Sequence, residues 1–413
     1  MSEIIRDRQY RKFSSYGFLK NLRFFDAFII LFLVEQGIPY TQVGVLYAVR
    51  EIIINILEVP SGIIADTLGR RNSLAASLFI YILSFCIFYF SQSFMLFLAA
   101  FIIYGIADAF RSGTHKGMIM DYLELTGQGE QKISYYGHTR SWAQAGSALS
   151  SLIAGFIVFY SGNYRSIFIY SIIPYFINFL LILTYPGSLN YSRKTPENKS
   201  SEGFIITIKS FFRTIREPGV LRLLNTSALH SAYLKAVKDY IQPLMVSIAL
   251  IIPVLNGIEQ EKKNGLVIGL IYFFIYLLTS RASKVSYRYA KGKRGNIPLI
   301  SLITGFGLGL ACGLASVLEL WLISLLFFVG IFVIENIRKP ILTGFVADRV
   351  PNDILASVLS AQSLLKTIIT AFLALLFGVL ADLYSIGVSF IAVSLFLVFT
   401  TLALNILVRV LQK

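Results

Sequence analysis

The feature that most constrains this chain is the spacing of its apolar segments. Runs of roughly 18–25 residues recur from one end to the other, and that is the length a helix needs to cross about 30 Å of hydrocarbon. We place twelve of them at 16–35, 41–65, 72–90, 94–121, 136–160, 165–185, 219–252, 265–284, 296–316, 319–347, 354–380 and 387–410. Inside a bilayer the backbone amides have no water to bond, so each run must satisfy them internally as a helix. The short alternating strands of a β-barrel do not produce runs of this length. Composition agrees: 56% of residues are hydrophobic and 14% charged, against about 25% charged in a soluble domain. The expected fold is an all-α membrane protein with twelve transmembrane helices.

The longest interruption, 186–218, holds Pro186, Pro196 and Pro218 and a polar run from Asn190 to Glu202. It divides the chain into an N-terminal six-helix half (1–185), a central loop (186–218) and a C-terminal six-helix half (219–413). Within the loop, Phe204–Arg216 has apolar and basic residues at helical spacing. That pattern suits an amphipathic helix lying on anionic membrane lipids. The net charge of +15 reads as topology and not as nucleic-acid binding. With the N-terminus inside, the inside segments hold about 22 Lys and Arg and the outside loops about 3. Both termini and the central loop are therefore expected in the cytoplasm, with the protein in the cell (inner) membrane. Cys86 and Cys312 lie in apolar runs and read as small buried hydrophobes.

Between the second and third runs the sequence reads Gly62-Ile63-Ile64-Ala65-Asp66-Thr67-Leu68-Gly69-Arg70-Arg71. The two glycines allow close packing and a tight turn, and the arginines can bond carboxylates or carbonyls. This resembles the signature loop of the major facilitator superfamily (MFS), at the same place in the topology. The resemblance implies the MFS fold, with two six-helix halves around a central cavity that opens alternately to each side. It also implies a conformational latch built from Gly62, Asp66, Gly69, Arg70 and Arg71. By analogy Asp66 would contact the start of the eleventh run, and Asp121 is the candidate partner of Arg70 or Arg71. Two departures stand out. Phe101 occupies the position where proton-coupled drug exporters of the family carry an Arg, and Ser150-Ser151 replaces their Gly-Pro.

Charge inside the apolar runs is the next signal, because an ionised group at the bilayer centre costs at least about 2.5–3.5 kcal/mol. The interiors of the third, sixth, ninth and twelfth runs carry none. In the resembled fold every third helix is an outer support, and the charge map follows that rule. The other runs hold Asp26, Arg50, Glu51, Asp108, Arg111, Lys235, Lys238, Asp239, Glu335, Arg338 and Lys366 at mid-depth. Their basic surplus would attract an anion or the acidic end of a zwitterion. Expected substrate-binding residues are Arg50, Arg111, Trp142, Gln144, Lys235, Lys238, Arg338 and Lys366. Asp26, Glu51, Asp108 and Glu335 are the candidate coupling groups. Lys116 and Arg140 read as side chains that snorkel to the inner interface, and His115, His138 and His230 as interhelical polar contacts. The alternative is a self-neutralising network of charges.

The leading expectation is a secondary active transporter for a small organic anion or zwitterion, working as a monomer with protons as a coupling partner. Export of amphipathic drugs or lipids is the alternative, and a transport-inactive sensor or receptor is a third reading. No His-Glu-x-x-His, Gly-x-Ser-x-Gly or Walker loop is present, so neither an enzyme nor a metal or other cofactor is expected.

Overall fold

A computed structural model of the chain describes residues 7–112, 114–128, 132–190, 218–253, 257–290, 297–347 and 352–411. These residues are almost entirely helical. The helices are α1 (Arg8–Lys20), α2 (Ile29–Glu35), α3 (Tyr40–Leu68), α4 (Arg70–Phe90), α5 (Phe94–Arg111), α6 (Thr114–Leu125), α7 (Lys132–Ser161) and α8 (Ser166–Leu183). After the central loop come α9 (Pro218–Val237), α10 (Ile241–Leu250), α11 (Gln260–Ala290), α12 (Ile297–Val317), α13 (Trp321–Ala347), α14 (Asn352–Leu383) and α15 (Ile386–Leu411). Every apolar run falls on helix. Among the described residues, nine helical stretches are long and apolar enough to cross a membrane. The amphipathic segment 204–216 and the contact expected between Asp66 and the start of the eleventh run lie outside the described residues.

Three runs read as continuous are broken. The first ends a helix at Lys20, passes a 3-10 turn at Phe24–Ala27 and resumes at Ile29. The fourth stops at Arg111 and restarts at Thr114. The seventh is interrupted by a 3-10 turn at Lys238–Tyr240. Each break falls at charged residues: Arg23 and Asp26, Asp108 and Arg111, Lys238 and Asp239. The agreement is physical. A break frees backbone groups, and these survive at membrane depth only where they line protein or a wet cavity. Ionised side chains demand the same surroundings. The breaks also explain why the first and seventh runs yield no single long apolar helix.

The contacts gather into two units. One comprises Met1–Phe32, Ile52–Glu202 and Gly257–Tyr276, the other Leu33–Glu51, Gly203–Asn256 and Leu277–Lys413. The first unit has an aromatic core. Phe168 stacks on Phe25 and Phe88 with ring centroids 5.8 and 4.9 Å away, and Tyr175 meets Tyr81 and Phe85 edge-on. Within it α7 and α11 touch through Gly155 and Gly265. A Cβ on Gly155 would stand 2.5 Å from the Gly265 carbonyl oxygen, so only glycine allows this approach. Just beyond the end of α7, Tyr164 accepts a hydrogen bond from Asn264 Nδ2 of α11 at 2.7 Å.

The second unit packs the start of α3 against α14. A Cβ on Gly44 would lie 2.5 Å from the Ala374 carbonyl oxygen, and one on Gly378 would overlap that of Tyr40. At the same end Asp382 accepts from the backbone amides of Tyr40 and Thr41 at 2.9 and 2.6 Å. One helix thus caps the N-terminus of another. Helices without interior charge present large apolar side chains outward: Ile173, Phe176 and Leu180 on α8, Phe396 and Phe399 on α15.

Candidate functional site

The first unit contains a cavity of about 220 Å³. Its walls come from the broken ends of α1 and α5, from α6 and from α7. Helix α1 stops at Lys20 because Asn21 caps it: the Asn21 side chain donates to the Gly17 carbonyl at 2.7 Å. Helix α5 ends at Arg111, and the Ser112 amide returns to the Asp108 carbonyl at 2.9 Å. Lys20 and Arg111 therefore occupy last turns, where the helix dipole favours a cation. Lys116 and Arg140 complete a wall of four basic side chains, and among the described residues no carboxylate lines the cavity.

Arg111 is held from behind. It donates to Asp108 Oδ1 from Nη2 at 2.6 Å and from Nε at 3.1 Å. Tyr81 donates to the same carboxylate oxygen. Lys20 lies within electrostatic reach of Arg111, Arg23, Asp108 and Asp26, and Arg23 pairs with Asp26 at 3.0 Å. Also in the lining, the rings of Tyr16 and His115 stack at 3.8 Å. Tyr16 is 2% exposed. His115 Nε2 is buried without a hydrogen-bond partner among the described residues.

A second cluster lies in the other unit, on α3, α9 and the turn that follows. Glu51 is fully buried and is gripped by Lys235 Nζ at 2.5 Å and Arg50 Nη2 at 3.1 Å. Arg50 lies over the Tyr47 ring, 4.9 Å from its centroid. Tyr47 donates to Asp239 at 3.1 Å, and Lys238 pairs with Asp239 at 3.1 Å. Lys366 on α14 is within electrostatic reach of Lys235.

The structure divides the expected binding residues. Arg111 lines the cavity of the first unit, while Arg50, Lys235, Lys238 and Lys366 gather in the second. Gln144 is half-buried on α7. Trp142 is 49% exposed and meets Phe18 edge-on, while Thr139, Arg140 and Ala143 of its helix face the cavity. Arg338 is 2% exposed and its guanidinium is bound by the chain itself: Nη1 donates to Pro298 O and Ser301 Oγ, Nη2 to Thr226 O. It ties α9, α12 and α13 together. Each coupling candidate is engaged: Asp26 with Arg23, Asp108 with Arg111, Glu51 as above, and Glu335 with His230 Nδ1 at 2.7 Å and Ser231. Sequence reasoning passed over Lys20 and Tyr16, and gave His115, Lys116 and Arg140 only interfacial or contact roles. The i, i+4 spacing of Tyr16 and Lys20 placed both on one face, but nothing in the sequence located the helix end that opens it.

At the signature loop, Arg70 and not Arg71 takes Asp121, from Nη1 at 2.5 Å, and it also bonds Asp66 at 3.1 Å. Arg71 donates to the Tyr185 carbonyl. Gly69 has φ +100°, where L side chains are strained. A Cβ on Gly62 would meet nothing within 4 Å, so no close packing occurs there. Asn190, at the start of the polar run, organises this end. Its carbonyl accepts from Arg70 N, and its side-chain oxygen accepts from Arg71 N and Asn72 N at 3.1 and 3.3 Å. Asn190→Ala should lower thermal stability by about 1 kcal/mol, the usual loss for a helix cap; an unchanged melting temperature would remove this role.

The profile of the Major Facilitator Superfamily matches residues 18–374. An uncharacterized MFS-type transporter from Bacillus subtilis (strain 168), YxaM, is 22% identical over 401 residues, covering 96% of each chain. Among solved structures, a mutant of the nucleoside transporter NupG superposes with a TM-score of 0.75 at 14% identity, covering 96% of this chain and 99% of that one. A bacterial homolog of the human lysosomal transporter Spinster, inward-facing and occupied, gives 0.70 at 12% identity with 98% of both chains covered. These structures share the fold. The match over most of the chain, together with its apolar helices, shows that this is a non-enzymatic, multi-pass membrane protein belonging to the Major Facilitator Superfamily of secondary transporters.

Proposed function

We propose that this transporter carries a small organic anion across the inner membrane by alternating access of its two six-helix halves, 1–185 and 219–413, with proton coupling. The observation that carries this reading is the cavity walled by Lys20, Arg111, Lys116 and Arg140, with no carboxylate among its described lining residues. In a low-dielectric site a lining of basic side chains concentrates anions and repels cations. Asp108 holds Arg111 in place, Asp26 pairs with Arg23 and Glu51 with Lys235 and Arg50, and protonating one of these carboxylates would free its partner. Arg50, Lys235 and Lys366 form a second attractive surface. Arg338 serves the helix packing in this reading. Both termini face the cytoplasm, following the Lys and Arg bias, and one chain suffices for transport.

Reconstitution into liposomes tests this. A panel of labelled anions, lipophilic cations and sugars is offered with and without a pH gradient. Saturable anion flux at least tenfold above protein-free vesicles is expected, and Arg111→Ala should abolish it. Preferential flux of lipophilic cations would favour the amphipathic-exporter reading, and no flux across the panel would favour a receptor.

A further inference from the structure

Resting on the anion-transport reading, we infer that the substrate is a hydroxy acid or sugar acid, whose hydroxyl is bound by Arg23 and Ser150 in a subsite beside the basic cavity. The first unit holds a second, smaller cavity of about 10 Å³, lined by Asn21, Arg23, Asp26, Ser147, Ser150 and Ser151 among others. That is room for one water-sized group. It sits against the break between α1 and α2, and its serines come from α7. Asn21 lines both cavities. Its Nδ2 donates to the carbonyl of Gly17, which lines the larger one. Its Oδ1 accepts from Ser147 Oγ, which lines the smaller, at 3.5 Å. The two spaces therefore adjoin at one side chain, and a ligand held among the basic residues can extend past Asn21.

Two buried polar atoms mark what the smaller space binds. Ser150 is 4% exposed, and its Oγ has no hydrogen-bond partner among the described residues. Arg23 Nε is in the same condition, although Nη2 pairs with Asp26 at 3.0 Å and Nη1 donates to the Tyr104 hydroxyl at 3.3 Å. Both residues line the cavity. Buried polar atoms are normally bonded, so the two together call for a ligand. An Nε–H can only donate, which excludes an ammonium or a metal cation from that contact. The arginine already faces Asp26, and this carboxylate in the lining repels a second anionic group. A neutral hydroxyl fits. It accepts from Arg23 Nε and shares a hydrogen bond with Ser150 Oγ, which takes either role. Ser150-Ser151 is also the pair that stands in place of the drug exporters' Gly-Pro. That departure from their pattern supplies the subsite with hydroxyls.

The test is titration calorimetry on the purified full chain in detergent, with three pairs of probes that differ in hydroxyl groups: lactate and propionate, 3-hydroxybutyrate and butyrate, gluconate and hexanoate. In at least one pair the hydroxylated acid should bind about tenfold tighter, because a site built to bond a hydroxyl rejects the analogue that leaves its polar groups unpaired. Ser150→Ala and Arg23→Lys should each bring the members of that pair close to equal affinity. Arg23→Lys keeps the charge opposite Asp26 and removes the Nε donor. A purely structural role would weaken both members alike and preserve their ratio. Melting curves confirm that each variant is folded. Equal affinity within every pair, the result expected if a fixed water occupies the subsite, would overturn the hydroxy-acid inference and leave anion transport standing. A preference that survives in both variants would overturn the assignment to Arg23 and Ser150. No binding of any probe would overturn the inference as well, and joined with no flux across the anion panel it would overturn the transport reading itself.

Discussion

Glu51→Ala should be among the most damaging single substitutions in this protein. The Glu51 carboxylate is fully buried and lies between two cations, Lys235 and Arg50. Removing it takes this carboxylate from both cations, with Lys366 within electrostatic reach of Lys235. Breaking a buried pair by deleting one partner typically destabilises by about 3–5 kcal/mol, because the remaining charge stays desolvated. Lys235 is partly exposed, with 35% of its side chain accessible, so water offsets part of that penalty. Arg50 also lies over the Tyr47 ring, which it keeps in the variant. The expected loss is therefore near the lower end, about 3 kcal/mol. Lys235→Ala in the Glu51→Ala background should recover part of it, since the second change removes an unpaired cation. A double-mutant cycle read by thermal unfolding measures the coupling. If Glu51→Ala melts with the parent protein, or the two changes simply add, the triad does not hold α3 to α9.

This cluster also shows how far the sequence could be read. Charges inside apolar runs were legible because lipid excludes them, and so was the absence of charge from the third, sixth, ninth and twelfth runs. Pairing at close spacing was legible too: Arg23 with Asp26 and Asp108 with Arg111 are local, and both pairs form. Partners distant in sequence were not. Nothing in the chain announces that Glu51 meets Lys235, 184 positions away, or that Arg338 spends its donors on the carbonyls of two other helices. Helix breaks were hidden because hydropathy averages over them. Asn21 ends α1 through one side-chain bond to a carbonyl, and a window of apolar residues does not register that event. The cavity depends on those breaks, so its residues were visible only as separate basic positions near helix ends. Asn190 shows the same limit, since a residue in a polar stretch looks like loop until the amides it caps are located.

The other large effect is expected at the contact of α3 with α14. Gly378→Leu would place a side chain where the Tyr40 carbonyl now stands, and Gly44 permits the matching approach to Ala374. Both obstacles are backbone, so no rotamer change relieves them. Overpacking commonly costs about 1–3 kcal/mol, and here it also breaks the two bonds by which Asp382 caps Tyr40 and Thr41. The remaining length of both helices stays packed, so the chain should fold with these ends apart. The topology reading places them on the outer side. In a background with Cys86 and Cys312 replaced by Ser, Thr41→Cys should react with a membrane-impermeant maleimide at least tenfold faster when Gly378→Leu is present. Asp382→Ala should raise the rate less, because it removes the cap and keeps the close glycine contact. Transport should fall in Gly378→Leu, since a helix pair that cannot close holds one state of the cycle. Unchanged labelling together with normal flux would mean that α3 and α14 need not touch here. The Gly44 and Gly378 approach would then be packing without a part in the transport cycle.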